Sequence, residues 1–180
     1  MDDDHRHCVM YVLEMTSQEA EDQRQRMRKE RYSHQVAALP IRLNEERRVE
    51  VCLVTSRTTG RWIIPKGWPM KGLRDDEAAK VEAEEEAGLV GAMLKASLGA
   101  YTYWRRTRVD FRLTIVEVYA LRVKRQKKRW KEQSQRKLIW APVLDAADLV
   151  LEPELSSLLV GIPGNRRACA FIGRDEPIQF

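Results

Sequence analysis

The sequence predicts a single mixed α/β domain of the α+β kind, spanning roughly residues 33–160. Three observations carry that reading. Several runs alternate apolar and polar residues with period two, as half-buried strands do. One charged segment, Arg74–Ala87, is built from helix formers and is closed by Gly88, a residue suited to a helix C-terminus. Finally, 180 residues with 43% hydrophobic and 33% charged side chains are enough to bury one core, without compositional bias toward disorder.

Residues 1–32 read as a charged, helical N-terminal extension. Thr16 and Glu19 have the spacing of a capping box. Acids (Glu19, Glu21, Asp22) precede bases (Arg24, Arg26, Arg28, Lys29, Arg31), an order that suits the helix dipole. The first strand, Gln35–Leu43, contains Pro40, which argues for an edge position or a bulge. Arg48–Arg57 places Val49, Val51 and Leu53 on one face, and Trp62–Ile64 is a short strand stopped by Pro65. After the acidic helix, Leu94–Trp104 and Val109–Val123 resume the strand pattern. In the latter, Val109, Phe111, Leu113, Ile115, Tyr119, Leu121 and Val123 share a face that only Glu117 interrupts. Leu138–Trp140 is a final strand, with helical segments at Asp145–Val150 and Pro153–Leu159. Residues 161–180 show no period, carry Gly161, Pro163, Gly164, Gly173 and Pro177, and read as an irregular C-terminal tail.

No apolar run approaches the ~18 residues of a membrane span, so no membrane partner is expected. The apolar run Cys8–Leu13 follows an acidic start and is too short for a signal sequence. Cys8, Cys52 and Cys169 are scattered and odd in number, a pattern of reduced thiols in a cytoplasmic protein. The net charge of +5 is concentrated. Between Arg122 and Lys137 lie nine bases and one acid, Glu132, so the remainder of the chain is net acidic. Such a patch suits polyphosphate or nucleic acid, or simply solvates a loop. Its only aromatic is Trp130, so base stacking has little support and nucleic acid is not favoured.

The acidic helix is the informative element. At about 100° per residue, Glu82, Glu85 and Glu86 share one third of the circumference and Glu84 points away. Like charges at these spacings repel by a few tenths of a kcal/mol, roughly, per exposed pair, and a cation among them relieves it. Hard oxygens on a rigid face suit Mg2+ or Mn2+, completed by water and phosphate oxygens. An acidic helix face is also often merely solvated. The preceding run Pro65-Lys66-Gly67-Trp68-Pro69-Met70-Lys71-Gly72 ends a strand and feeds the helix, whose first N–H groups favour anionic oxygens.

With Gly67 in first place, this segment resembles the Nudix box, G-x5-E-x7-R-E-U-x-E-E-x-G-U. Glu82, Glu85, Glu86, Gly88 and Leu89 fall on matching positions without a gap. The first glutamate of the pattern is Leu73 here and the arginine is Val81, while Ala83 is small for its place. Because both partners of the family's usual ion pair are apolar, Leu73 and Val81 are expected to meet as a packed contact. Trp62–Met70, Trp130, Arg136-Lys137, Trp140 and Asp145-Ala146-Ala147 are similar to bacterial Nudix proteins resembling diphosphoinositol polyphosphate phosphohydrolases. The resemblance implies an α/β/α sandwich with a mixed β-sheet, and hydrolysis of a phosphoanhydride in a small-molecule nucleoside- or inositol-linked di- or polyphosphate.

On that reading Glu82, Glu85 and Glu86 are the catalytic carboxylates and metal ligands, joined by the Gly67 carbonyl. Lys66, Lys71 and Arg136 are the expected phosphate binders. The general base stays open between Glu132, in the loop of the basic patch, and Glu117, on an apolar strand face. Some family members carry a loop glutamate where this chain has Gln135. Two rival readings are a Nudix-fold binding or regulatory module that has lost turnover, motivated by Leu73 and Val81, and a basic RNA-binding or RNA-processing protein.

Overall fold

The computed structural model describes residues 32–173, together with Thr16, Gln18 and Glu21. The expected N-terminal helix and residues 174–180 therefore lie almost wholly outside the described residues. Eight strands form one mixed sheet: β1 (Tyr32–Leu43), β2 (Val49–Thr55), β3 (Trp62–Ile63), β4 (Lys66–Gly67), β5 (Leu89–Met93), β6 (Gly99–Arg106), β7 (Phe111–Gln126) and β8 (Leu138–Pro142). The order is β3-β2-β1-β7-β5, with β4 added to β1, β6 to β7 and β8 to β2. The long β1 and β7 run parallel, from Tyr32↔Leu113 to Ile41↔Arg122, while the other ladders are antiparallel.

Helix α1 (Asp75–Ala87) covers one face of the sheet, over Val36, Ala38, Cys52, Tyr119 and Leu121. Helices α2 (Val143–Leu149), α3 (Pro153–Gly161) and α4 (Arg166–Ile172) cover the other, over Ala37, Leu39, Val51, Val116 and Val118. This is the α/β/α sandwich with a mixed sheet. Alternate residues of β1 and β7 thus enter different cores, so both faces of these strands are apolar. No helix among the described residues is long and apolar enough to cross a membrane.

Several local expectations need correction. The strand expected over Leu94–Trp104 begins only at Gly99, while β4 and β5 are strands that sequence reading did not expect. Strand β1 is central although it contains Pro40. Ala38 N–H donates to the Pro65 carbonyl (2.9 Å), and pairing with β2 begins only at Ile41↔Val51. By strand alternation the missing N–H of Pro40 faces the gap between β4 and β2, where no ladder bond is made. The strand expected from Val109 starts at Phe111, and Val109 itself is 93% exposed in the hairpin tip. The tail expected to be irregular contains a short 3-10 turn, Ile162–Gly164, and α4, whose Asn165 cap accepts from Ala168 N–H (3.0 Å). Ala168 and Ile172 enter the core. Seven residues are too few for a helical period to show in sequence.

Helix α1 lies close to the sheet because its inward positions, Ala78, Ala79, Ala83 and Ala87, are small and fully buried. Acids Asp75, Asp76 and Glu77 occupy its first turn, where the dipole favours them, and Glu77 accepts from the Arg74 backbone N–H (3.0 Å). Gly88 ends it at φ 68°, and Trp130 lies flat against that glycine, so an added Cβ would come within 2.6 Å of the ring. Trp130 is thus a packing residue.

Leu73 and Val81, expected to meet as a packed contact, lie in an open place. Leu73 is 42% exposed, Val81 is only half-buried, and neither belongs to the two cores. The loop before α1 turns outward, with Leu73 N–H bonded to the Met70 carbonyl (3.1 Å). Introducing a charge here strands nothing in the interior. Val81→Arg is therefore expected to change the unfolding free energy by less than about 1 kcal/mol, far below the ~3–5 kcal/mol of an unpaired buried charge. Urea denaturation checks this, and a loss above that limit would place Val81 in a closed environment.

Candidate functional site

The C-terminal half of α1 carries Glu82, Glu84, Glu85 and Glu86, and its last turn contains no base. Carboxylates near the negative end of a helix are disfavoured by the dipole as well as by one another. The segment after β7 supplies the missing cations. Lys127 pairs with Glu84, Lys131 Nζ lies 2.7 Å from Glu85 Oε2, and Arg136 pairs with Glu86. Glu84 faces away from the other three, as its helical position requires.

Glu86 is the most enclosed of the group, 6% exposed. Its Oε2 accepts the Lys66 backbone N–H (3.2 Å), and its Oε1 takes a hydrogen bond from Arg136 Nη2. Burial pushes its carboxyl up to about 7, with Arg136 opposing the rise. Glu82 faces Gly67 so closely that a Cβ on residue 67 would fall 2.0 Å from Glu82 Oε1. Only glycine permits that approach. Burial also raises Glu82, helped by the neighbouring charges of Glu85 and Glu132. Glu82 thus lies against Gly67 and Glu86 is tied to Lys66, while Glu85 shares their helix flank but pairs with Lys131. Their oxygens are not gathered as tightly as the ligand atoms of His34, Asp75 and Glu117, which among the described residues lie within 4.8 Å of one another. Hard oxygens on one flank are nevertheless the ligand type that a small divalent cation takes, and the Lys131 ammonium, on Glu85 and acting on Glu82 and Glu132, occupies the place of positive charge there.

The two candidates for general base separate. Glu132 is buried beside the carboxylates. Its backbone N–H donates to the Glu85 carbonyl (3.0 Å), while its side chain accepts from Arg136 Nε (2.7 Å) and Arg57 Nη1 (3.1 Å). Glu117 lies at the opposite end of α1, where it groups with His34 and Asp75, donor atoms within 4.8 Å of one another. Asp75 precedes Glu82 by seven residues, roughly 10 Å of helix, so Glu117 is not in the carboxylate cluster.

Arg136, expected to bind phosphate, is instead consumed internally. Its side chain is 6% exposed, and Nη1 donates to the Thr55 carbonyl (2.8 Å) while Nε and Nη2 hold Glu132 and Glu86. Lys71 stays exposed in the loop before α1. Lys66 is divided: its backbone meets Glu86, but its side chain crosses to the other face of the sheet. There Nζ donates to Gln35 Oε1 (3.0 Å) and meets the Tyr103 hydroxyl (3.1 Å).

That other face holds residues that sequence reading missed. Arg105 lies over the Trp68 ring (5.1 Å to its centroid), reaches Ser33 (3.4 Å), and keeps Nε buried without a hydrogen-bond partner. Gln35, Tyr103, Arg105 and Trp68 come from β1, β6 and the loop after β4. No local signal joins them, because only the β1–β7–β6 pairing makes them neighbours. Arg57, the second hold on Glu132, was missed for the same reason.

Because burial holds the Glu86 carboxyl above its unfolded value of 4.5, the folded protein binds that proton more tightly. The contribution of this group to stability is then complete below about pH 4.5 and is lost as pH rises through about 7. Chelator-treated protein is expected to show a melting midpoint that falls between about pH 5 and 8. Glu86→Gln should flatten that dependence, and identical pH profiles for the two proteins would remove Glu86 as its source.

No curated protein sequence matches the chain. Solved structures do, and the three that follow are at identities that speak to the fold alone. A C. elegans Ap4A hydrolase in a binary complex superposes with a TM-score of 0.54 at 19% identity, covering 78% of this chain and 97% of that one. A MutT/nudix family protein from Enterococcus faecalis gives 0.57 at 12% identity, over 96% and 80%. The NUDIX domain of Shewanella oneidensis NrtR, solved with ADP ribose, gives 0.53 at 15% identity, over 71% and 85%. The model of the NUDIX domain matches residues 33–159, most of the chain, and the protein belongs to the NUDIX family.

Proposed function

We propose that the protein is a divalent-metal hydrolase that cleaves a phosphoanhydride in a nucleoside- or inositol-linked di- or polyphosphate. The approach of Glu82 to Gly67 and the bond of Glu86 to the neighbouring Lys66 N–H, with Glu85 on the same helix flank, carry this reading. These carboxylates, with the Gly67 carbonyl, would hold Mg2+ or Mn2+. Such an ion supplies positive charge to phosphate oxygens and lowers the pKa of an attacking water. Glu132 is the proposed base for that water, and its burial beside Glu85, with Glu117 at the other end of α1, supports it over Glu117. The substrate would lie across β4, its reacting phosphates near Gly67. Its remainder would reach the face where Arg105, Lys66 and the 48% exposed Trp68 present cations and a stacking ring. Lys71 is free to meet outer phosphates.

The resemblance of the loop Trp62–Met70 supports the inositol-linked branch, and nucleoside-linked substrates are retained because Trp68 offers an exposed stacking ring beside Arg105. A binding module without turnover is the second reading, favoured by the exposed Leu73 where the family has a glutamate.

A panel of dinucleoside polyphosphate, ADP-ribose, inositol pyrophosphate and linear polyphosphate, with Mg2+ or Mn2+, tests the proposal by phosphate or nucleotide release. Glu82→Gln and Glu86→Gln are expected to lower turnover at least 100-fold, about 2.7 kcal/mol on the barrier. Glu84→Gln, which loses only a surface pair with Lys127, should stay within about threefold of wild type. Metal-dependent substrate binding without release of product would select the binding module.

A further inference from the structure

Helix α1 has no base of its own on the carboxylate flank: residue 81 is Val and the last turn is without Lys or Arg. One buried guanidinium reaches in from residue 136. We propose that Arg136 is the positioning residue of the site, fixing Glu86, Glu132 and, through Glu86, strand β4. This inference rests on the hydrolase reading above.

The geometry is specific to a guanidinium. Nη2 holds Glu86, Nε holds Glu132 (2.7 Å) and Nη1 holds the Thr55 carbonyl (2.8 Å), three acceptors from three separate elements. A rigid planar fork serves all three at once, whereas the point charge of a lysine does not. The hold on Glu86 is transmitted further. Its second oxygen accepts the Lys66 N–H (3.2 Å), and β4 is only two residues long, paired to β1 at Val36↔Gly67 and Ala37↔Lys66. So short a ladder fixes its own position weakly. Glu86 clamps it to α1, and the adjacent Gly67 is thereby pressed against Glu82. Arg136 thus sets the relation between both sides of the site, although its own side chain is buried away from substrate.

The alternative is that Arg136 merely neutralises the helix end, as Lys127 does at Glu84. Arg136→Lys separates the two, because it keeps the charge and loses the fork. Mn2+ binding, followed by electron paramagnetic resonance, is the first readout. Arg136→Lys should weaken it at least about tenfold and lower kcat by a similar factor, with KM within about threefold, the scale of lost support behind a metal ligand. Lys127→Gln should leave Mn2+ binding within about twofold of wild type. Hydrogen exchange of the wild-type protein keeps the test open if Arg136→Lys does not fold. The Lys66 amide should be as protected as that of Ala38, and exchange as fast as in exposed loops would overturn the proposal. Wild-type Mn2+ affinity in Arg136→Lys overturns it alone. A wild-type protein that binds no Mn2+ overturns it together with the hydrolase reading.

Discussion

Four glutamates crowd the negative end of one helix, and much of the surrounding architecture compensates for that. Carboxylates at the C-terminal end of α1 meet an adverse dipole and each other, in a half-buried setting where water screens them poorly. A helix with this pattern is tolerable only if cations are brought to it. The chain brings them from one place, the segment following β7, where Lys127, Lys131 and Arg136 meet Glu84, Glu85 and Glu86 in the same order along both partners. The basic run is in this sense the counterpart of the acidic one.

That pairing also redistributes meaning within the basic patch. Three of its residues serve α1, and Arg122 lies over the Phe171 ring of α4. Lys124, Arg125, Lys128 and Arg129 stay exposed and leave a positive surface beside the site, suited to drawing a polyphosphate by long-range attraction. The patch is neither wholly a solvated loop nor wholly a binding surface. Trp130, within it, is held by contact with Gly88 and so anchors the loop to the helix end.

The sheet's contribution is to place two chemistries back to back. Strand β4 is so narrow that Gly67 faces the carboxylates while Lys66 sends its side chain to the opposite face, toward Gln35 and Tyr103. A bound molecule spanning this strand would touch hard oxygen ligands at one end and cations with aromatic rings at the other. Of the departures from the family pattern, Leu73 falls outside this arrangement, because its loop turns toward solvent, while Val81 leaves the carboxylate flank of α1 without a base of its own. The support that a helix arginine would give is available from Arg136, in the segment between β7 and β8.

What the sequence determined by itself was whatever depends on near neighbours along the chain. Period-two alternation gave the longer strands but not the short β4 and β5, composition and Gly88 gave α1, and the spacing of Glu82, Glu85 and Glu86 gave their common flank, since 3.6 residues per turn fixes it without tertiary help. Tertiary structure decided the rest. Pro40 sits in a central strand because its missing N–H meets a gap between two partners, which no window of sequence reveals. Glu117 and Glu132 looked equivalent as acids in unusual surroundings, yet strand register sends one to the start of α1 and loop packing brings the other to its end. Arg136 was expected to bind phosphate, yet three acceptors, from residues 55, 86 and 132, enclose its guanidinium. Long-range pairing decides which polar groups are buried together, and burial decides whether a charge is a surface ornament, a ligand or a brace.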